Sequence, residues 1–244
     1  MRFGKIQYLN LLPFDVFLKS YPAPLRFKLS AFANCSYPSK LNQSFFFRRI
    51  DAGFISSIAG YRAHLLKKTT KSGIIAKGAV WSVLIKPLDS LGTKDYQSDT
   101  SNILSEILGL KGSVLIGDRA LLYRYKGGEH IDMGKVWFDK HRLPFVFGRL
   151  CFNRYKDFYQ RISTCFNAKR VKIPHYMLTK YAIESNIPKA YILAYLTHIY
   201  YAIGSKEILG IMRFYRAARL QRQKLPSRIY KRAKHQIITR KCDV

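Results

Sequence analysis

The chain of 244 residues predicts an α/β fold with two lobes closing on a cleft, and three observations predict it. Strand-like and helix-like runs alternate from residue 2 to about 125, the pattern of a layered α/β architecture. Two short β-rich runs, at 81–86 and 146–152, flank the middle of the chain like crossings between lobes. Beyond residue 176 the pattern is helical. If both short runs are crossings, residues 87–146 form an inserted lobe and residues 1–86 with 147–244 form the other. Ligands of such a hinged protein bind where the strand ends of the two lobes face each other.

Element by element, residues 2–8 (RFGKIQY) predict a first strand running into a loop, Leu9 to Pro13. Ser39 is placed to open a helix (SKLNQSFFFRRI) as a cap for free N–H groups. Residues 51–57 (DAGFISS) predict a buried strand ending on two serines. Two β-rich runs follow, at 74–76 and 81–86 (WSVLIK), joined by the turn at Lys77-Gly78. A second capped helix starts at Thr100 (TSNILSEILGL). Residues 115–118 (LIGD) read as a strand ending on Gly-Asp, with Asp118 as the cap of a helix from Arg119. A further strand covers 144–152. Helices are expected over 176–185, over 189–203 directly after Pro188, and over 207–223, where Ile208, Ile211, Met212 and Tyr215 recur at helical spacing. Gly127-Gly128 is a turn.

Composition bounds the function. Hydrophobic residues make up 48% of the chain, with 16 Phe and 17 Tyr, enough for a large core. No apolar run approaches the roughly 20 residues that span a bilayer. The opening segment lacks a small-residue cleavage site and reads as part of the fold, which places the protein in the cytoplasm. Cys35, Cys151, Cys165 and Cys242 have no metal-ligand or redox spacing, and the six His form no zinc motif. A serine-hydrolase elbow, a phosphate loop and a dinucleotide fingerprint are all missing.

The net charge of +29 attracts anions of every class. Eleven Lys and Arg against one acid lie from Arg213 onward, and a basic tail begins near Arg219. The charge otherwise spreads without a stripe, and no nucleic-acid-reading motif accompanies it, so a basic nucleic-acid-binding protein is the weaker alternative. A non-catalytic protein that binds a small carboxylate is the stronger one. Three helix starts carry small polar residues after strand ends: Pro38-Ser39, Thr100-Ser101-Asn102 and Gly117-Asp118. Helix N-termini present unpaired N–H groups and partial positive charge, which suit carboxylates. Asn10, just past the first strand, and Ser56, Ser57 and Ser82, at strand ends, could meet the same ligand.

These segments together resemble one family. Gly4-Lys-Ile-Gln-Tyr-Leu-Asn10-Leu-Leu-Pro13 is similar to its opening signature, with Gln7 where members often have Ser. Pro38-Ser39-Lys40-Leu41, Ile55-Ser56-Ser57, Ser82-Val83-Leu84, Thr100-Ser101-Asn102, residues 115–121 (LIGDRAL) and residues 143–147 (LPFVF) resemble its later blocks, in order. The family is chorismate dehydratase, of the futalosine route to menaquinone, and the resemblance runs to about residue 218. It implies a type II periplasmic-binding-protein-like fold with a cleft between lobes. It also implies loss of water from chorismate to give 3-[(1-carboxyvinyl)oxy]benzoate, with no metal or organic cofactor and chorismate as the small-molecule partner. Carried over position by position, Asn10 and Ser82 are the catalytic candidates. Ser39, Ser56, Ser57, Thr100, Ser101 and Asn102 are the substrate-binding ones.

Overall fold

The computed structural model describes residues 1–87 and 92–221. In chain order the strands and helices are β1 (Phe3–Ile6), α1 (Leu12–Ser20), α2 (Leu25–Ala33), β2 (Cys35–Ser36), α3 (Pro38–Phe46), β3 (Ala52–Ser56), α4 (Ser57–Leu65), β4 (Thr69–Ala76) and β5 (Val83–Lys86). There follow α5 (Asp99–Leu108), β6 (Ser113–Ile116), α6 (Gly117–Tyr125), β7 (Ile131–Asp132), α7 (Met133–His141) and β8 (Phe145–Phe152). The chain continues through α8 (Lys156–Ala168), α9 (His175–Ser185), α10 (Lys189–Leu196), β9 (Tyr200–Ala202) and α11 (Ser205–Leu220). A 3₁₀ turn at Leu9–Leu11 joins β1 to α1.

Six strands form a large sheet in the order β2-β1-β3-β8-β4-β9, and three form a small one, β6-β5-β7. Each sheet centres one lobe. Strand β5 was expected with the first lobe, but it pairs antiparallel with β6 and β7 inside the small sheet. The chain therefore crosses between lobes at residues 77–82, before β5. It returns at 142–144, because β8 lies wholly between β3 and β4 of the large sheet.

The aromatic surplus is spent in the large lobe. Phe3, Phe14, Phe54, Tyr159 and Phe166 are buried together against α1 and α8. Phe14 meets Phe54 and Phe166 edge-on, each at 5.0 Å between centroids, the arrangement that the ring quadrupole favours. Strands β1 and β3 approach so closely that a Cβ on Gly53 would sit 2.5 Å from the Gly4 carbonyl oxygen; only glycine fits there. A second core, around Ile85, Leu104, Trp137, Phe145 and Phe214, fastens the small lobe to β8 and α11.

Three helix expectations change. The expected loop at Leu9–Pro13 is a 3₁₀ turn leading into α1, with Pro13 in the first turn, where a missing N–H costs nothing. The helix after Pro188 stops at Leu196, and its expected continuation holds β9, which pairs with β4. Of the four residues at helical spacing in α11, Ile211 and Tyr215 face the core, while Ile208 and Met212 are exposed. Cys242 and the basic tail from 222 onward lie outside the described residues.

Candidate active site

A cavity that opens to solvent lies between the lobes. Four helices begin on its wall: α3 at Pro38, α4 just after Ser56, α5 at Ser98 and Ser101, and α6 at Gly117. Converging helix starts bring their partial positive charge to one place. Asn10, Ser82 and Tyr8 complete the polar wall, and Ile6, Ile74, Val80, Ile116 and Phe147 supply the apolar one. No side chain that is charged at neutral pH lines the cavity among the described residues, so the high positive charge of the chain acts from outside it.

The lobes are held together by hydrogen bonds around this cavity. Leu9 N–H donates to Asp118 Oδ1 at 3.0 Å, and Tyr8 Oη–H donates to Gln97 Oε1 at 2.6 Å. Gln97 Oε1 also accepts from Arg119, which is paired with the buried Asp95 at 2.7 Å. Burial pushes the Tyr8 phenol above its ordinary pKa and lifts the Asp118 carboxyl to about 6, against the opposing pull of the Leu9 N–H. The cap expected of Asp118 is therefore not its role: α6 has no side-chain cap, and the carboxylate reaches across to the other lobe.

Four of the eight expected site residues line the cavity, namely Asn10, Ser56, Ser82 and Ser101. Asn10 sits in the 3₁₀ turn, its carbonyl fixed by the Tyr201 hydroxyl at 2.7 Å. Its side-chain Oδ1 is buried and has no hydrogen-bond partner among the described residues. An acceptor left open on a cavity wall is costly unless a ligand or water completes it. Ser56 is held by Asn42, which donates to its Oγ at 2.9 Å and accepts from its N–H at 3.1 Å. Ser101 shares a 2.9 Å bond with Ser98, the true cap of α5, whose Oγ accepts the Ser101 N–H.

The other four serve the frame. Ser39 N–H donates to the Gln97 carbonyl at 3.0 Å, and its hydroxyl donates to the Tyr96 backbone carbonyl at 2.9 Å. It is a clasp between lobes and not a cap, since α3 carries no side-chain cap. Ser57 is fully buried and donates to the Val146 carbonyl. Thr100 Oγ1 accepts the Ile58 N–H at 3.0 Å, capping α4 of the opposite lobe. Asn102 closes its amide on the backbone of Asp95 and shapes the loop before α5. Tyr8, Gln97 and Tyr195 were not expected, because the partners that join them lie far away in sequence; Ser98 was passed over because Thr100 and Ser101 offer the same local capping pattern.

A family model described as menaquinone biosynthesis matches residues 90–220. A chorismate dehydratase of Campylobacter jejuni subsp. jejuni serotype O:23/36 (strain 81-176) is 40% identical over 221 residues, covering 90% of this chain and 98% of that one. Among solved structures, a protein of Archaeoglobus fulgidus matches with TM-score 0.63 at 11% identity, over 90% of this chain and 97% of its own. The alkanesulfonate-binding protein SsuA of Xanthomonas axonopodis pv. citri, bound to MOPS, matches with TM-score 0.51 at 15% identity, over 93% and 94%. At these identities the two structures speak for the fold alone, a two-lobed binding-protein-like one.

Proposed function

The chain belongs to the chorismate dehydratase family, and from that premise we propose that its interlobe cavity converts chorismate to 3-[(1-carboxyvinyl)oxy]benzoate and water. The observation that carries the reading is the cavity wall: four helix starts, the open Asn10 Oδ1 and buried serine hydroxyls around an apolar slot. Helix starts and hydroxyls suit a substrate with two carboxylates, and the apolar residues suit its ring. Each helix start contributes roughly 0.3–1 kcal/mol, and up to about 2 where partly buried.

The reaction needs little acid–base machinery. Loss of the ring hydroxyl together with the hydrogen on the ether-bearing carbon turns the cyclohexadiene into a benzene ring. Aromatisation supplies the driving force, so the protein has to hold one conformation, stabilise developing charge and assist a proton. Asn10 is too weak a base to take that proton. Its Oδ1 orients the substrate hydroxyl before reaction, and its amide N–H donates to the departing oxygen; a carboxylate of the substrate or a bound water takes the ring proton and passes it to that oxygen, which leaves as water. Ser82 donates to the substrate from the crossing between lobes. Ser56 and Ser101 line the place of the carboxylates, while Ser39, Ser57, Thr100 and Asn102 keep the wall in position.

Incubating purified protein with fresh chorismate, in buffer containing a chelator and no added cofactor, tests this reading. We expect an aromatic absorbance and a product lighter by one water. A folded protein that forms no such product contradicts it, and a strict metal requirement contradicts the cofactor-free chemistry alone.

A further inference from the structure

The crossing at residues 77–82 carries more construction than a linker needs. Trp81 has φ 64°, a left-handed backbone conformation uncommon for a bulky residue. Asp132 holds it there, its carboxylate accepting the Trp81 N–H at 2.7 Å, the Val80 N–H at 3.0 Å and, as the cap of α7, the Lys135 N–H at 3.0 Å. The indole is clamped between the Arg124 guanidinium at 3.9 Å and the His198 ring at 4.2 Å. Arg124 is itself tied to the Tyr191 hydroxyl at 2.6 Å.

One face of α10 makes much of this contact. Tyr191 and Tyr195 are four residues apart, and His198 continues the face in the turn after the helix. Tyr191 and His198 touch Trp81, while Tyr195 reaches the next residue, its hydroxyl 2.9 Å from Ser82 Oγ. Tyr195 is fully buried, and in this bond its phenol donates and the serine accepts. The Ser82 proton is then free for another partner. Among the described residues it reaches the Val80 carbonyl, 3.4 Å away, too long to hold it well. Ser82 lies on the cavity wall, where a bound anion would offer a better acceptor.

We propose that Tyr195 is a positioning residue: it takes up the acceptor side of Ser82, on a hinge fixed by Asp132 and the Trp81 stack, so that Ser82 meets the substrate as a donor. The proposal rests on the dehydratase reading and deepens it. Backbone strain of this kind clusters at working sites, where the surroundings over-determine it.

A double-mutant cycle tests it. We expect Tyr195→Phe to lower kcat about tenfold with KM within about twofold of wild type, the scale of one misdirected hydrogen bond. In a Ser82→Ala background the same change should cost no more than about twofold, since residues that act as a unit are not additive. Equal losses in both backgrounds overturn the proposal, because Tyr195 would then act independently of Ser82. Wild-type protein that forms no product in the same assay overturns the dehydratase reading and takes this proposal with it. If Tyr195→Phe does not fold by circular dichroism, Trp81→Phe in the same cycle replaces it, thinning the stack while leaving Tyr195 intact.

Discussion

Arg149 shows what single residues can and cannot announce. It is buried on β8, and its hydrogen-bond partners are His64 Nδ1 at 3.2 Å and the Thr70 carbonyl, also at 3.2 Å. His64 has to stay neutral to accept from a guanidinium, and burial first and Arg149 second push its pKa below the ordinary value. A folded-state pKa below the unfolded one means that the unfolded chain binds more protons, so stability rises with pH in that window. The fold therefore loses stability as pH falls through about 6.5 toward the depressed folded pKa. His64→Gln, which accepts without titrating, should reduce the loss measured by urea unfolding at about pH 7.5 and about pH 5.5. An unchanged loss would show that His64 stays uncharged in both states or titrates alike in both. Nothing in the sequence around Arg149 or His64 signals this pairing across 85 residues. Asn10, Ser56, Ser82 and Ser101 were legible as cavity-lining residues because strand ends and helix starts are where a cleft forms. Thr100 and Ser39 were legible as polar residues near the site but not as clasps, since their partners sit on the other lobe.

At the scale of elements, helix starts were the most readable feature and their caps the least. The expected starts near Pro38, Thr100 and Gly117 all begin helices while α4, after Ser56, went unread, and the side-chain cap of α5 is Ser98, two residues before the expected start. A serine two positions away satisfies the same local pattern, and only the direction of its hydroxyl decides. Strand β9 was misread as helix because residues 191–203 are apolar apart from Thr197 and His198 and show no clear period, and pairing with β4 settles it. Helix α6 depends on a glycine whose need was invisible. Gly117 has φ 64°, its N–H donates to the Ser82 carbonyl at 2.8 Å, and an added Cβ would stand 2.7 Å from the Tyr8 ring. Gly117→Ala would force both a left-handed alanine and a displaced Tyr8. We expect it to cost about 1–2 kcal/mol in backbone strain alone, read as a lower Tm. KM for chorismate should rise as well, because Tyr8 joins the lobes through Gln97. An unchanged KM would mean that the Tyr8–Gln97 bond does not govern closure.

For the whole molecule, the alternation of strands and helices predicted two lobes, and the position of the crossing was the part that sequence could not decide. WSVLIK is equally good in either sheet; antiparallel partners β6 and β7, which lie after it in the chain, claim it for the small one. Membership in the chorismate dehydratase family, the binding-protein-like fold and the cavity agree on one picture: two lobes closing on a small anion, with an open acceptor on Asn10. The high positive charge draws anions toward the protein at long range, while helix starts and hydroxyls line the cavity itself. If Asn10 acts on the transition state, steady-state kinetics of Asn10→Ala beside Ser101→Ala will separate its effect on kcat from one on KM. Asn10→Ala should lower kcat roughly a hundredfold, about 3 kcal/mol, the scale of losing one positioned hydrogen-bonding group. Ser101→Ala should mainly raise KM, because the N–H groups at the start of α5 survive the change. A raised KM with kcat near wild type for Asn10→Ala would contradict the account, making Asn10 a plain binding contact and leaving Ser82 as the leading catalytic residue.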